Sequence, residues 1–388
     1  MEIINLKTLP PISLYVHIPW CIKKCPYCDF NSHNKGNGFS EDLYINALIK
    51  DLELAIPNIW GRQINSIFIG GGTPSLFTGK SIDKLLTNIR SLIKLSPFAE
   101  ITIEANPATV EIQFLQDYSD SGINRLSLGI QSFNSKHLKL LGRIHNTDEA
   151  INSIEMAKKY FNNINLDLMY GLPTQTISDL KQDIMLAKSF DCQHISYYNL
   201  TIEPNTIFAK NIPQNLPNED ICYEMQEYII DELNIAGYKR YEVSAYAKEN
   251  QQSQHNLNYW LFGDYLGIGC GAHSKISFVN KIIRQIRNKH PETYMKNVFH
   301  NTHIVENQPI IIKDLTFEFM LNSLRLVNGF KTNLFSERTG LSLNTILNQI
   351  QQAKENDLLE VTFDKIIPTK KGFNFLNDLL INFLSDKK

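Results

Sequence analysis

The chain has 388 residues, of which 43% are hydrophobic and 20% charged, and its formal net charge is −2. That length suits two or three domains of roughly 100–200 residues, and the near-neutral balance argues against a general nucleic-acid binder. No apolar stretch approaches the ~18 residues of a membrane span. Residues 1–11 lack the basic start, apolar middle and small-residue cleavage site of a secretory signal, so a cytoplasmic location is expected.

Short apolar runs at residues 14–18, 67–69, 101–104, 125–130, 164–169 and 195–200 alternate with amphipathic stretches at 42–55, 81–95, 109–121, 147–160 and 177–189. Short strands alternating with longer helices imply parallel βαβ units. Six units predict an α/β fold, a partial (β/α)6 barrel of TIM type over residues 1–205, with its chemistry at the C-terminal ends of the strands. Residues 206–300 are expected to extend the barrel. Residues 301–388 read as a separate α+β module: helices at 316–326, 332–339 and 343–355, a small hairpin at 358–363 and 366–369, and a last helix at 371–383. Three helices and a hairpin resemble a winged helix. Residues 343–355 carry one lysine and one glutamate, too little basic charge to neutralise phosphates, so a lid or partner surface is expected and nucleic acid is not.

Half of the six cysteines fall in Cys21-Ile-Lys-Lys-Cys25-Pro-Tyr-Cys28, just after the first strand. Clustered thiols without export features read as metal ligands in a reducing compartment, not as disulfides. A closed zinc site or a fully ligated cluster takes four protein ligands. Three thiols at C-x3-C-x2-C spacing leave one position open, unless a distant residue supplies a fourth. After the second strand comes Gly70-Gly-Gly-Thr-Pro-Ser75, a turn whose glycines let backbone approach a ligand closely. Glu104, on a strand that otherwise reads as buried, needs a partner or a solvated cavity. Gln131, Arg143 and Asp167 follow at or beyond the ends of the next strands. Cys192 and Cys222 read as buried small hydrophobes. Gly267, Gly269 and Gly271 suggest close backbone approach around Cys270 and His273, which are weaker ligand candidates.

The cysteine motif resembles that of the radical S-adenosylmethionine (SAM) superfamily. There a 4Fe-4S cluster on three cysteines holds SAM at its unique iron and cleaves it with one electron to a 5′-deoxyadenosyl radical. The resemblance implies Cys21, Cys25 and Cys28 as cluster ligands. It implies Tyr15, Gly71, Gly72, Thr73, Glu104, Gln131, Arg143 and Asp167 as SAM contacts, with the Arg143 guanidinium suited to SAM's carboxylate.

Tyr15-Val-His-Ile-Pro-Trp-Cys21, the GGGTPS turn, Ile202-Glu-Pro-Asn205 and Gly267-Ile-Gly-Cys-Gly-Ala-His-Ser274 narrow the likeness to the oxygen-independent coproporphyrinogen III oxidase branch. Within it, two features favour the heme-chaperone line over the decarboxylase. The oxidase pattern has a fourth cysteine where this chain has Phe30, beside the cluster, and a sizeable extension where only twenty residues precede Cys21. The second feature is His255-Asn-Leu-Asn-Tyr-Trp260, which resembles a heme-associated motif. Imidazole is a common axial ligand of heme iron, and Tyr259 and Trp260 offer flat apolar area. The competing reading is a loop histidine capped by Asn256, with Tyr259 and Trp260 in the core. The expected cofactors are a 4Fe-4S cluster, SAM and heme, with His255 the heme contact. Acceptor hemoproteins and a second copy of the chain are candidate partners, and no catalytic residue is assigned.

Overall fold

The computed structural model describes residues 4–36, 39–109 and 112–384. Six parallel strands follow one another around the barrel: β1 (Ile12–Ile18), β2 (Gln63–Gly71), β3 (Lys94–Ala105), β4 (Arg125–Gln131), β5 (Ile164–Tyr170) and β6 (His194–Asn199). They pair in chain order from β1 to β6, so the sheet curls without closing on itself. Each of the first five is followed by helix, chiefly α1 (Glu41–Ile59), α2 (Gly79–Leu92), α3 (Ile112–Asp120), α4 (Thr147–Ala157) and α5 (Ile177–Ser189). The helix expected at 81–95 ends at Leu92, because β3 already begins at Lys94. The helix expected at 109–121 begins partly on residues 110–111, which lie outside the described residues.

Local chemistry places the helix starts. Ser40, Thr78, Asn146 and Thr176 accept hydrogen bonds from amides of the first turns of α1, α2, α4 and α5. Such caps contribute about 1 kcal/mol each. The strands' outward residues, among them Leu14, Val16, Ile67, Ile69, Leu126, Leu128, Leu166 and Leu168, are buried against these helices in one continuous core.

The sheet continues past both ends of the barrel to twelve strands. Beyond β6 lie β7 (Lys239–Arg240) and β8 (Ala245–Ala247), β8 antiparallel to β6. Beyond β1 lie β9 (Asp264–Ile268), parallel to it, then antiparallel β10 (His273–Phe278), β11 (Lys281–Arg287) and β12 (Ile304–Pro309). A buried cluster fastens this extension to α1. Asp51 takes hydrogen bonds from Arg287, Tyr294 and the Gly269 amide, and pairs with His303. Burial would raise the Asp51 pKa, but Arg287 and His303 outweigh it and hold the carboxyl at about 2.

The remaining chain builds a second core around Phe319, Phe335, Ile350, Ile366 and Leu379. Its helices include Ile312–Ser323, Thr332–Thr339 and Leu347–Glu355, and its three-stranded sheet comprises Phe330–Lys331, Leu359–Val361 and Lys365–Pro368. The expected last helix is two short ones, Lys370–Asn374 and Leu376–Ile381. Among the described residues no helix is long and apolar enough to cross a membrane.

Candidate functional site

The C-terminal ends of the strands open into a cavity of about 400 Å³. Cys21, Cys25, Cys28 and Phe30 line it from the loop after β1, and Gly71, Gly72 and Thr73 from the turn after β2. Glu104, Gln131, Arg143 and Asp167 complete the lining. These residues belong to motifs well separated in the chain, and the fold brings them to one place. Phe30 stands at the lip, 61% exposed. Tyr15 is not part of the lining. It lies on β1, its hydroxyl 3.0 Å from His17 Nδ1 and its ring stacked on Phe68.

The glycine turn is shaped by contact. A Cβ on Gly71, at φ +115°, would come within 2.5 Å of the His17 ring, and one on Gly72 within 2.6 Å of the Trp20 carbonyl oxygen. The Gly72 and Thr73 amides donate to the Ile18 and Trp20 carbonyls, which locks the turn to the start of the cysteine loop. His17 Nε2 lies 2.8 Å from the Asn31 carbonyl and ties down the loop's far end.

The three thiols are unpaired, half-buried and on one wall. Arg143 stands beside them, with Nη1 3.6 Å from Cys25 Sγ and Nη2 donating to the Gly129 carbonyl. Its Nε is buried without a partner among the described residues. A guanidinium there offsets thiolate charge and keeps a donor in reserve for an anionic ligand. Among the described residues no three His, Cys, Asp or Glu side chains converge as a single-ion site. Three free thiols lining one cavity fit the donor set of a three-cysteine iron–sulfur cluster.

Two carboxylates share the cavity with the thiols and have no salt-bridge partner among the described residues. Glu104 accepts the Gly71 amide at 3.0 Å. Burial and the nearby Asp167 push its pKa up to about 7. Asp167 accepts from Ser127 Oγ at 2.7 Å and from Asn165 Nδ2 at 2.9 Å, and burial raises its pKa as well. Gln131 has φ +68°, a left-handed conformation uncommon for a non-glycine residue. Carboxylates for hydroxyl and amino groups, a spare guanidinium donor and a glycine cradle fit an amino-acid nucleoside such as SAM.

His255 lies elsewhere. It is on helix α6 (Gln254–Trp260), capped by Ser253, and not on a loop. This helix packs against β1, β2 and β9 at the opposite end of the barrel. His255 is 2% exposed. Its Nδ1 is 3.0 Å from Ser66 Oγ, which itself donates to Ser13 Oγ. That assigns the ring proton to Nδ1 and leaves Nε2 as a bare acceptor, buried with no partner among the described residues. Burial lowers its pKa to about 3, so the ring is neutral. Tyr259 meets it edge-on, and Arg325 of the C-terminal module covers Trp260.

Of the secondary ligand candidates, Cys270 is packed, whereas His273 is exposed. Cys270 is buried, donating to the Lys289 carbonyl at 2.8 Å. A Cβ on Gly267, Gly269 or Gly271 would lie within about 2.5 Å of His273 O, His17 O or Asn31 Nδ2. Cys192 is buried, and Cys222 only partly so.

Sequence reasoning missed Ser127, Asn165 and Tyr198, which hold or face the carboxylates. The signal was present: polar residues recur at period two along Arg125–Gln131, Ile164–Tyr170 and His194–Asn199, the inward face of a barrel strand.

The radical SAM superfamily profile matches residues 15–187, and the HemN C-terminal domain profile residues 313–375. The heme chaperone HemW of Buchnera aphidicola subsp. Schizaphis graminum is 48% identical, covering 97% of this chain and 99% of that protein. HemW of Escherichia coli strain K12 is 43% identical over 97% and 99%. Coproporphyrinogen III oxidase (HemN) from Escherichia coli superposes with a TM-score of 0.81 at 24% identity, over 97% of this chain and 90% of that one, which shows a common fold. Identity at this level over nearly the whole chain, with the barrel and C-terminal module both matched, places the protein in the HemW family of the radical SAM superfamily.

Proposed function

We propose that the protein is a heme chaperone that binds heme and passes it to acceptor hemoproteins, carrying a three-cysteine 4Fe-4S cluster and exchangeable SAM. The observation that carries the reading is near-full-length similarity to HemW proteins, in a chain with Phe30 and not a fourth cysteine at the lip of the thiol-lined cavity. Cys21, Cys25 and Cys28 hold the cluster. Gly71, Gly72, Thr73, Glu104, Gln131, Arg143 and Asp167 hold SAM, with Tyr15 supporting the wall through His17. When bound, the cluster offers an open coordination position and a single electron. The chain's own residues orient SAM there: Arg143 neutralises its carboxylate, and Glu104 and Asp167 take its amino and hydroxyl donors.

His255 is the proposed heme contact. Its free Nε2 lone pair is the form of imidazole that ligates iron. Ligation through it requires α6 to swing away from the barrel, since the ring is buried in the structure. The residues 1–205, 206–300 and 301–388 are assigned to barrel, extension and partner-facing module.

The rival reading, oxidative decarboxylation of coproporphyrinogen III, draws on the fold shared with HemN. Anaerobic incubation of cluster-loaded protein with reductant, SAM and coproporphyrinogen III separates the two. The chaperone reading expects no protoporphyrinogen IX; robust formation of that product would replace it with the enzyme reading.

A further inference from the structure

A line of buried side chains connects the two ends of the barrel. Asn165 Nδ2 donates to Asp167 Oδ1 at 2.9 Å, so the Asn165 carbonyl oxygen faces the other way. Through it Asn165 accepts from His194 Nδ1 at 2.6 Å. A proton on Nδ1 makes His194 Nε2 an acceptor, because burial and Arg125 keep the ring neutral. It takes the Tyr241 hydroxyl at 2.9 Å. Tyr241 Oη in turn accepts the Ser253 amide, at 3.4 Å. Ser253 caps α6, and its Oγ shares Glu100 Oε1 with the His255 amide at 3.2 and 3.0 Å.

Every donor in this line points toward Asp167. Hydrogen bonds aligned head to tail in a low-dielectric interior polarise one another, so charge at one end is felt at the other. We infer that Asn165, His194 and Tyr241 form a relay through which occupancy of the SAM cavity at Asp167 sets how firmly the N-terminus of α6, and with it His255, is held. The inference rests on the reading of Asp167 as a SAM contact. A ligand that donates to Asp167 fixes the carboxylate in place as Asn165's acceptor, which steadies each donor along the line and tightens α6. Binding sites coupled in this way affect each other reciprocally.

The test uses full-length, cluster-reconstituted protein and needs no heme. Anaerobic hydrogen exchange of residues 253–256 is measured with and without saturating SAM, in wild type and in Tyr241→Phe, alongside direct SAM titrations. Exchange in wild type slows at least threefold with SAM, and in Tyr241→Phe the ratio falls to near one while SAM still binds. Exchange indifferent to SAM, accelerated by it, or slowed equally in the variant overturns the relay. If SAM does not bind wild type at all, the reading of Asp167 fails and takes the relay with it. Should Tyr241→Phe not fold, His194→Phe, which has neither donor nor acceptor, breaks the line one step earlier and is read the same way.

Discussion

Glu104 makes the sharpest prediction about the cavity. Its folded-state pKa of about 7 lies well above an ordinary glutamate, so between about pH 4.5 and 7 the folded protein holds a proton that the unfolded chain has released. Stability contributed by this group therefore falls as pH rises through that window, and the cost is complete above it. Glu104→Gln removes the cost and stabilises the ligand-free protein at pH 8 by about 1–3 kcal/mol, the upper figure reduced because the cavity admits water. SAM binding runs the other way. A carboxyl titrating near 7 is roughly one-tenth ionised at pH 6 and nine-tenths at pH 8. If SAM needs the carboxylate, wild-type affinity gains about tenfold, or about 1.4 kcal/mol, over that interval relative to Glu104→Gln. Taking the ratio of the two proteins cancels SAM's own titration. The assay is anaerobic equilibrium dialysis of cluster-loaded protein from pH 6 to 8, with urea denaturation of the ligand-free forms. Parallel affinity profiles, or a Gln variant less stable than wild type at pH 8, would refute the reasoning.

Three further perturbations probe other parts of the account. Gly71→Ala forces a side chain onto positive φ and against His17, which is tied to Tyr15 and Asn31. A loss of about 1–3 kcal/mol in chemical denaturation is expected, together with weaker SAM binding; an unchanged midpoint would mean the turn yields freely. Asp51→Ala strands the fully buried Arg287 and should cost about 3–5 kcal/mol. In wild type the Asp51 contribution is intact above pH 4 and is lost as pH falls toward 2, which acid titration followed by circular dichroism reads directly. His255→Ala is expected to weaken heme binding at least tenfold in absorbance titrations, and uptake equal to wild type would remove it as the ligand.

Much of this architecture was legible in the sequence because its signals are local. Cysteine spacing, the triple glycine and the alternation of apolar runs with amphipathic stretches each arise within a few residues. What escaped reading depends on contacts distant in sequence. His255 follows a polar linker and looks exposed, yet Ser253 caps a helix whose first amides seek Glu100, 155 residues away from His255. The partial barrel could be inferred from six strands. That the extension expected over residues 206–300 attaches through β9 beside β1 could not, since a parallel neighbour some 250 residues away leaves no local trace. The interior polar column was visible only as period-two polarity on strands whose outer face is apolar, a pattern that reads as ordinary half-burial until the barrel is curled.

The most direct test of the central claim is an anaerobic titration of the reconstituted protein with heme, followed by mixing with an apo-hemoprotein. Saturation at one heme per chain, and appearance of the acceptor's own absorbance spectrum after mixing, are the predicted results. A protein that takes up no heme, or keeps it from every acceptor while its cluster and SAM are in place, would contradict the account.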